Sequence, residues 1–519
     1  MSTPNYPSIP QSYPDPIADE EGHNKKRRKV SRKVKKHRIK QINGDDEPVH
    51  PNTLQNMQFS TLLNSLNTQG FSDSSDSDNE SPITQGNPFD TLQATLETDF
   101  ETKEICKVIN TIPFPNASEW VQSPNNPNYP DYASFTQLIL CLTDPDSSNM
   151  DFQKDFIISF PSFATPEQVL AVILARYFAN ISQPKSNIQN ASKLRSVQNR
   201  VIRIIGSLWL GNAPYQFSPK MFSALEAFCN ILDHQNSVQA GVLSSSLKKV
   251  EHNLSRESLR GAFTPEPFEA PDPSIPEYEW NLLNIPTSEI ARQLTIFYNT
   301  MFMELQPREL LAGIWETENK YSNPTLKRFI DHLNGFSYAV AMSVITGPNP
   351  EARGKIFKRW IDVAQTCLEM RNYHGMFSVI YGLTHKSVSR LYDTQKYAMK
   401  TNRLRKSQYE TMCNLCQPNN DFHAYREIIK SPVTPCVPFL GCFQKDLVYV
   451  QESYKNKVND LINFKKCKAC ARLVIFVQDQ KKWYPINKNA RILEIISEVP
   501  REFDTIAAMK ESMAREKPK

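Results

Sequence analysis

Lys445, Val448 and Glu452 are the residues of this 519-residue chain whose types and spacing first suggest chemistry. They lie three and four positions apart, so one helical face would carry a cation, a small aliphatic side chain and, one turn on, a carboxylate. The apolar residues around them, Phe443, Leu447, Val450, Tyr454, Val458 and Leu461, recur at similar spacing on a different stripe. That stripe is expected to pack inward, which leaves the Lys-Val-Glu face unneeded by the core. A second constellation is the pair of Cys-x-x-Cys runs at Cys413–Cys416 and Cys467–Cys470, which matches the ligand number of a tetrahedral zinc site. The pairs are farther apart than in a usual zinc ribbon, sit inside helical patterns and lack glycine knuckle turns. Buried thiols are therefore the favoured reading and structural zinc the alternative. There is no GxxxxGK[ST], HExxH or GxSxG run, so no cofactor is expected and the chain is not expected to cleave nucleotide itself.

The elements that must position the Lys-Val-Glu face begin at Pro435-Cys436-Val437-Pro438-Phe439-Leu440-Gly441. Two prolines fix φ and remove donors, which predicts a stiff extended entry, with Gly441 permitting the turn into a helix that runs to about Phe464. Upstream, Thr165 reads as an N-cap with Pro166 at the first helical position, leading a helix that carries Val169, Leu170, Ile173, Leu174 and Tyr177 inward. Leu194, Val197, Val201, Ile204, Ile205 and Leu208 mark another buried face. Ile290, Leu294, Phe297 and Met301 mark a third, closed by Pro307, and Ile356, Trp360, Val363, Cys367 and Met370 a fourth. With few glycines and helical periodicity throughout, the fold class is all-α.

The Pro435–Gly441 run, the downstream Leu461-Ile462-Asn463-Phe464 and the upstream Tyr425-Arg426-Glu427 together resemble the catalytic domain of Ras-family guanine-nucleotide exchange factors. So do Ile290-Ala291-x-x-Leu294-Thr295, Pro307-x-Glu309-Leu310, Leu333-Asn334-x-x-Ser337-Tyr338, Arg371-Asn372-Tyr373-His374 and Ile380-Tyr381-Gly382-Leu383; the resemblance spans Glu289 to about Asp504. Residues near Ser159-Phe160-Pro161-Ser162-Phe163 resemble the Ras exchanger motif, with departures from the usual Thr-Tyr-Arg-Ser-Phe. The resemblance implies a helical hairpin that pries a small GTPase open. Glu452 falls where the family places an acid near the α-phosphate, and Val448 where an aliphatic residue, usually Leu, lies against the Mg²⁺ site. Lys445, Phe439, Asp421 and Phe422 are expected to flank the hairpin, with the two aromatics either interface anchors or core, since aromatic side chains dominate both. Thr384, Lys386 and Ser389 match a second GTPase contact surface, with Thr384 where Asn is usual. The implied partner is a Ras-like GTPase of Ras, Rap or Ral type. A non-catalytic GTPase-binding scaffold is the alternative, motivated by Val448, Thr384 and Tyr338.

Composition sets the surroundings. The chain carries net charge +5, yet Lys25–Lys40 holds 11 Lys or Arg and no acid, so the remainder sums to −6. An acidic body is the wrong sign for a phosphate-backbone surface, so no DNA partner is expected and a zinc-dependent nucleic-acid protein is the weakest reading. Residues 1–125, rich in Ser, Asn, Pro, Asp and Gln, are expected to be disordered. Within them Lys25, Lys26, Arg27, Arg28 and Lys29 would serve an import receptor or an anionic membrane surface, a solvated charge run being the plain alternative. The expected domains are an exchanger-motif domain over 126–235, a linker over 236–286 and a catalytic domain over 287–519. There is no signal core, myristoylation glycine, prenylation box or apolar run of 18 residues. A cytoplasmic protein is expected, recruited to the plasma membrane or with a nuclear fraction.

Overall fold

The computed structural model describes residues 88–517, apart from 179–187, 256–267, 312–323, 431–434, 501–503 and the single positions 113, 125, 148, 236 and 401. The basic run at 25–40 lies outside the described residues. The described chain is helical. Its first half comprises α1 (Pro88–Leu96), α2 (Phe100–Val108), β1 (Trp120–Ser123), β2 (Asn126–Ala133), α3 (Phe135–Thr143), α4 (Met150–Ser159), α5 (Pro166–Tyr177), α6 (Ile188–Arg203), α7 (Pro219–His234) and α8 (Val238–Ser255). The second half follows with α9 (Thr287–Glu304), α10 (Pro307–Leu311), α11 (Pro324–Ile345), α12 (Pro350–Glu369), α13 (Tyr373–Thr384), α14 (Lys386–Ser389), α15 (Tyr392–Met399), α16 (Arg403–Leu415), α17 (His423–Ile429) and α18 (Leu440–Ser453). Then come β3 (Lys457–Val458), β4 (Leu461–Asn463), α19 (Phe464–Asp479), α20 (Ala490–Ser497) and α21 (Thr505–Arg515). None of the described helices is long and apolar enough to cross a membrane.

Local chemistry explains where several helices start. Thr165 and Gln168 form a reciprocal capping box at α5 with Pro166 in its first turn, as the sequence predicts. Asn349, Asn372, Asn463 and Asn489 each cap a helix by accepting an amide hydrogen bond. The predicted inward stripes are buried, among them Val169, Leu170, Ile173 and Leu174 on α5 and Trp360, Val363 and Cys367 on α12. One apolar core runs from Phe89 to Ala508 through both halves.

Three expectations need correction. Residues 88–109, expected to be disordered, are helical and packed: Phe89, Leu92 and Leu96 on α1 and Cys106 on α2 are buried, and α1 and α2 pack on α7 and α5. The supposed linker opens with the 18-residue α8, whose Ala240, Leu243 and Val250 are buried. The all-α class itself stands, with one small four-stranded sheet of order β1-β2-β4-β3 beside the helices. Finally, the helix expected to reach Phe464 ends at Ser453. Asn459 and Asp460 adopt positive φ of 50° and 62° between the paired residues Val458 and Leu461, which is a two-residue hairpin turn.

Candidate functional site

The extended entry is fixed by backbone pairing. Val437 donates to the Arg371 carbonyl at 3.1 Å and accepts from the His374 amide at 3.3 Å, a parallel bridge beside α13. The Phe439 amide donates to the Tyr425 hydroxyl at 2.8 Å, and the Phe439 ring stacks on Phe377 at 3.9 Å and 7°. Gly441 is needed for space rather than for a turn, since a Cβ there would run into the Phe439 ring. The entry is thus locked before α18 begins.

On α18, Leu440, Cys442, Phe443, Asp446, Leu447 and Val450 are buried, whereas Lys445, Val448 and Glu452 are exposed. Val448 is 52 % exposed with Tyr449 beside it, an apolar pair left in solvent on a helix that already has a full buried face. A part-buried ion pair pins the helix: Arg426 on α17 donates to both oxygens of the buried Asp446, at 2.7 and 2.8 Å. Burial raises the Asp446 carboxyl above its ordinary range despite those bonds.

The far end of α18 is fastened to the first half of the chain. Ile462 pairs with Ala133 and Asn463 with Tyr132, joining β4 to β2. Asn463 caps α19 and also donates to the Lys455 carbonyl. Phe464 packs on Tyr129 and Phe152 with ring centroids 5.8 and 5.1 Å apart. One turn further on, Lys468 lies over the Tyr129 ring at 4.3 Å. Arg472 donates through Nε to both oxygens of the fully buried Asp155 at 3.1 Å and reaches Asp151 at 3.1 Å, while the Tyr129 hydroxyl donates to Asp155 at 2.7 Å. Lys465 pairs with Asp131 at 3.0 Å. A helix–strand–strand–helix hairpin is therefore held at its tip and along its second arm.

The structure brings some predicted residues together and buries one. Lys445 and Asp421, expected to flank the hairpin, pair with each other at 2.6 Å. Asp421 and Phe422 both take left-handed φ near 57°, and Phe422 is half-buried against Phe377 and Phe439. Phe439, for which core and interface were both open, is 8 % exposed and enclosed by Phe377, Tyr381 and Tyr425. Thr384, Lys386 and Ser389 form a second exposed group at the end of α13 and on α14. It adjoins the first through Tyr381, one turn before Thr384, whose ring meets Phe439. Lys25, Lys26, Arg27, Arg28 and Lys29 lie outside the described residues. Of the four paired cysteines, Cys416, Cys467 and Cys470 are buried and Cys413 partly so, and burial pushes the Cys467 and Cys470 thiols up to about 12. Among the described residues no group of three or more His, Cys, Asp or Glu could hold a metal ion.

Sequence reasoning missed the two pins, Arg426–Asp446 and Asp155–Arg472, because neither partner pair is close in sequence. The available signal was an acid at an otherwise apolar position: Asp446 interrupts the buried stripe of α18, and Asp155 that of α4.

Comparison with known proteins fits this geometry. Residues 289–468 match the family model of the RasGEF domain and residues 130–228 that of the RasGEF N-terminal motif. Among curated proteins, the chain is similar to Ras guanine nucleotide exchange factor A of Dictyostelium discoideum, 27% identical over 361 residues, covering 67% of this chain and 57% of that protein. It is likewise similar to Ras guanine nucleotide exchange factor R of the same organism, 27% identical over 394 residues, covering 74% of this chain and 22% of that protein. Ras guanine nucleotide exchange factor I is 23% identical over 377 residues, covering 70% and 44%. The chain thus spans between about a fifth and a little over half the length of these relatives.

Proposed function

Since this chain belongs to the RasGEF family, with a RasGEF N-terminal motif ahead of its RasGEF domain, we propose that it promotes GDP release from a Ras-like small GTPase by wedging α18 into the nucleotide site. The observation that carries this reading is the solvent-exposed Val448 and Glu452 on a helix whose other face, entry and tip are all fixed. A GTPase holds its nucleotide through P-loop groups, a Mg²⁺ ion and mobile switch segments, so release needs a competitor for that site rather than a bond broken in the nucleotide. Val448 presents methyl groups where the ion would need oxygen ligands, and its presence excludes the hard cation. Glu452, one turn on, offers a carboxylate to the P-loop lysine or hydroxyl that phosphate had engaged, and repels phosphate. Incoming GTP then displaces the factor.

Around the wedge, Thr384, Lys386 and Ser389 supply the second contact, and half-buried Phe422 offers its edge. Lys445 is exposed and can exchange Asp421 for a GTPase acid at small cost, since Asp421 keeps Arg426 at 3.1 Å. The GTPase is of Ras, Rap or Ral type, and no DNA partner is proposed. The run at Lys25–Lys40 attracts anionic membrane or an import receptor, with a cytoplasmic protein recruited to the plasma membrane as the working picture.

The test is release of a fluorescent GDP analogue from a panel of Ras, Rap and Ral-type GTPases with the full chain. Acceleration on one member supports exchange and names the substrate. Tight binding to a nucleotide-free GTPase without acceleration of any would replace exchange by the scaffold reading, for which Val448 in place of the longer leucine is the specific motive.

A further inference from the structure

The second exposed contact group has a support that the family resemblance does not supply. The segment Lys386–Ser389 is a single turn packed among α11, α13 and α21. Its two outward residues, Lys386 and Ser389, can hold a fixed position only if the buried Ser387 and Val388 between them are held. The Ser387 carbonyl accepts from the Ser512 hydroxyl of α21 at 2.5 Å, and Arg390 donates to the Ser512 carbonyl at 2.7 Å and to its hydroxyl at 2.9 Å. A second Arg390 nitrogen reaches the Glu516 carbonyl at 2.7 Å. The turn that carries the contact residues is thus bolted to α21.

Glu516 completes the bolt. The helix that follows, α15, starts at Tyr392 behind Leu391, which has no side chain able to cap it. Glu516 supplies the missing acceptor from more than 120 positions away: its carboxylate accepts from the Asp393 amide at 3.1 Å, the Thr394 amide at 3.2 Å and the Thr394 hydroxyl at 2.7 Å. A carboxylate at this end of a helix is favoured by the exposed amides and the helix dipole. The same carboxylate takes Nη2 of Arg353 at 2.7 Å, and that guanidinium is only 2 % exposed, with its other bonds going to Thr394 and the Gly347 carbonyl. Burial by itself would raise the Glu516 carboxyl, but the bonds from Arg353, Thr394 and the Asp393 amide hold it below its usual range. Among the described residues Glu516 is the acid that neutralises this buried arginine.

We propose that Glu516 is a positioning residue for the GTPase contact surface: by capping α15 and neutralising Arg353 it locks α21 behind Ser387, and so sets where Lys386 and Ser389 meet their partner. This rests on the exchange-factor reading of that surface. It follows that loss of the Glu516 carboxylate should weaken recognition of the GTPase while leaving the wedge on α18 intact.

The test uses the full chain as wild type, Glu516→Gln and Glu516→Ala, with GDP-analogue release measured against GTPase concentration. Amide hydrogen exchange of residues 386–395 is followed in parallel. The expected result for Glu516→Ala is a roughly tenfold rise in KM with kcat within about twofold, and faster exchange at 386–395 and around Arg353 at the start of α12 while α5 and α9 keep their protection. Glu516→Gln, which keeps an acceptor for the α15 amides, should fall between. Unchanged KM and unchanged exchange at 386–395 in an active protein would overturn the proposal. So would a loss of kcat and protection spread evenly over both halves, the mark of a merely structural residue. A wild type that accelerates no GTPase would instead overturn the exchange reading, and this proposal with it.

Discussion

Replacing Asp155 by alanine should loosen the hairpin without touching its exposed face. Asp155 is fully buried where β2, α4 and α19 meet, and it accepts one hydrogen bond from the Tyr129 hydroxyl and one, shared between its two oxygens, from the Arg472 Nε–H. Hydrogen bonds to a charged group contribute about 1.5–3 kcal/mol each, and removing the acceptor leaves the buried Tyr129 hydroxyl unpaired. Two terms reduce the loss: Arg472 is partly exposed and keeps Asp151, and burial already raises the Asp155 carboxyl, a sign that its charge is costly where it sits. A net cost of about 2 kcal/mol corresponds to a roughly thirtyfold increase in the undocked population of the hairpin. Native-state hydrogen exchange reads this directly, through the paired backbone of β2 and β4 at Tyr132, Ala133, Ile462 and Asn463. Exchange there should accelerate by roughly that factor, with Asp155→Asn intermediate because it keeps an acceptor for Tyr129. GDP release should slow in step. Unchanged β2–β4 exchange in Asp155→Ala, with or without a lowered Tm, would refute the claim that this pin holds the hairpin.

Three further outcomes follow from buried groups. His374 and His332 are pushed down to about 3 and about 4 by burial, so both are neutral in the folded protein near neutral pH. Below an unfolded value of about 6.5 the unfolded chain binds more protons, so stability should fall as pH drops from 6.5 toward 4, by up to about 1.4 kcal/mol per pH unit for each ring. Urea denaturation at pH 7, 6 and 5 should show this loss, and a His332→Gln/His374→Gln protein that loses as much would contradict it. Lys481, which donates to the carbonyls of Met303 and Leu305 at the end of α9, is lowered by burial to about 8. Its folded pKa lies below its unfolded one, so it should add stability as pH rises from 8 to 10, by about 3 kcal/mol at most, and Lys481→Met should abolish that rise. Gly335→Ala should cost about 1–3 kcal/mol in a thermal melt, because the added methyl would collide with the Pro500 carbonyl; a Tm within about 1 °C of wild type would refute that contact.

Much of the helical body was legible because its signals are local. Thr165, Pro166 and Gln168 lie within one turn, and the α12 stripe of Ile356, Trp360, Val363 and Cys367 repeats at one period, so neighbours in sequence specify them. The exposed Val448–Glu452 face followed in the same way, as the side of α18 that its apolar stripe leaves over. The failures have a common physical origin in contacts between distant residues. Tyr454, Val458 and Leu461 continue the α18 spacing by coincidence, and the positive φ of Asn459 and Asp460 folds them into a hairpin that pairs with β2 some 330 positions earlier. The Asn-Asp pair was the available turn signal, weaker than Asn-Gly. Order at 88–109 was hidden because averaged composition conceals Phe89, Leu92 and Leu96, which stand on one helical face and dock on α7. For Phe439 the sequence left core and interface open, because aromatic residues serve both alike, and the stacked Phe377 shows where its ring is buried.

The central claim is that the exposed face of α18 acts on the nucleotide site, and the most direct measurement is GDP-analogue release by wild type, Val448→Asp and Glu452→Ala on the responsive GTPase. Both positions are exposed, so folding stability should stay within about 0.5 kcal/mol of wild type. The account predicts that each variant releases GDP at least about tenfold more slowly than wild type, equivalent to roughly 1.4 kcal/mol or more restored to the release barrier. Folded variants that accelerate release as well as the wild type would contradict it.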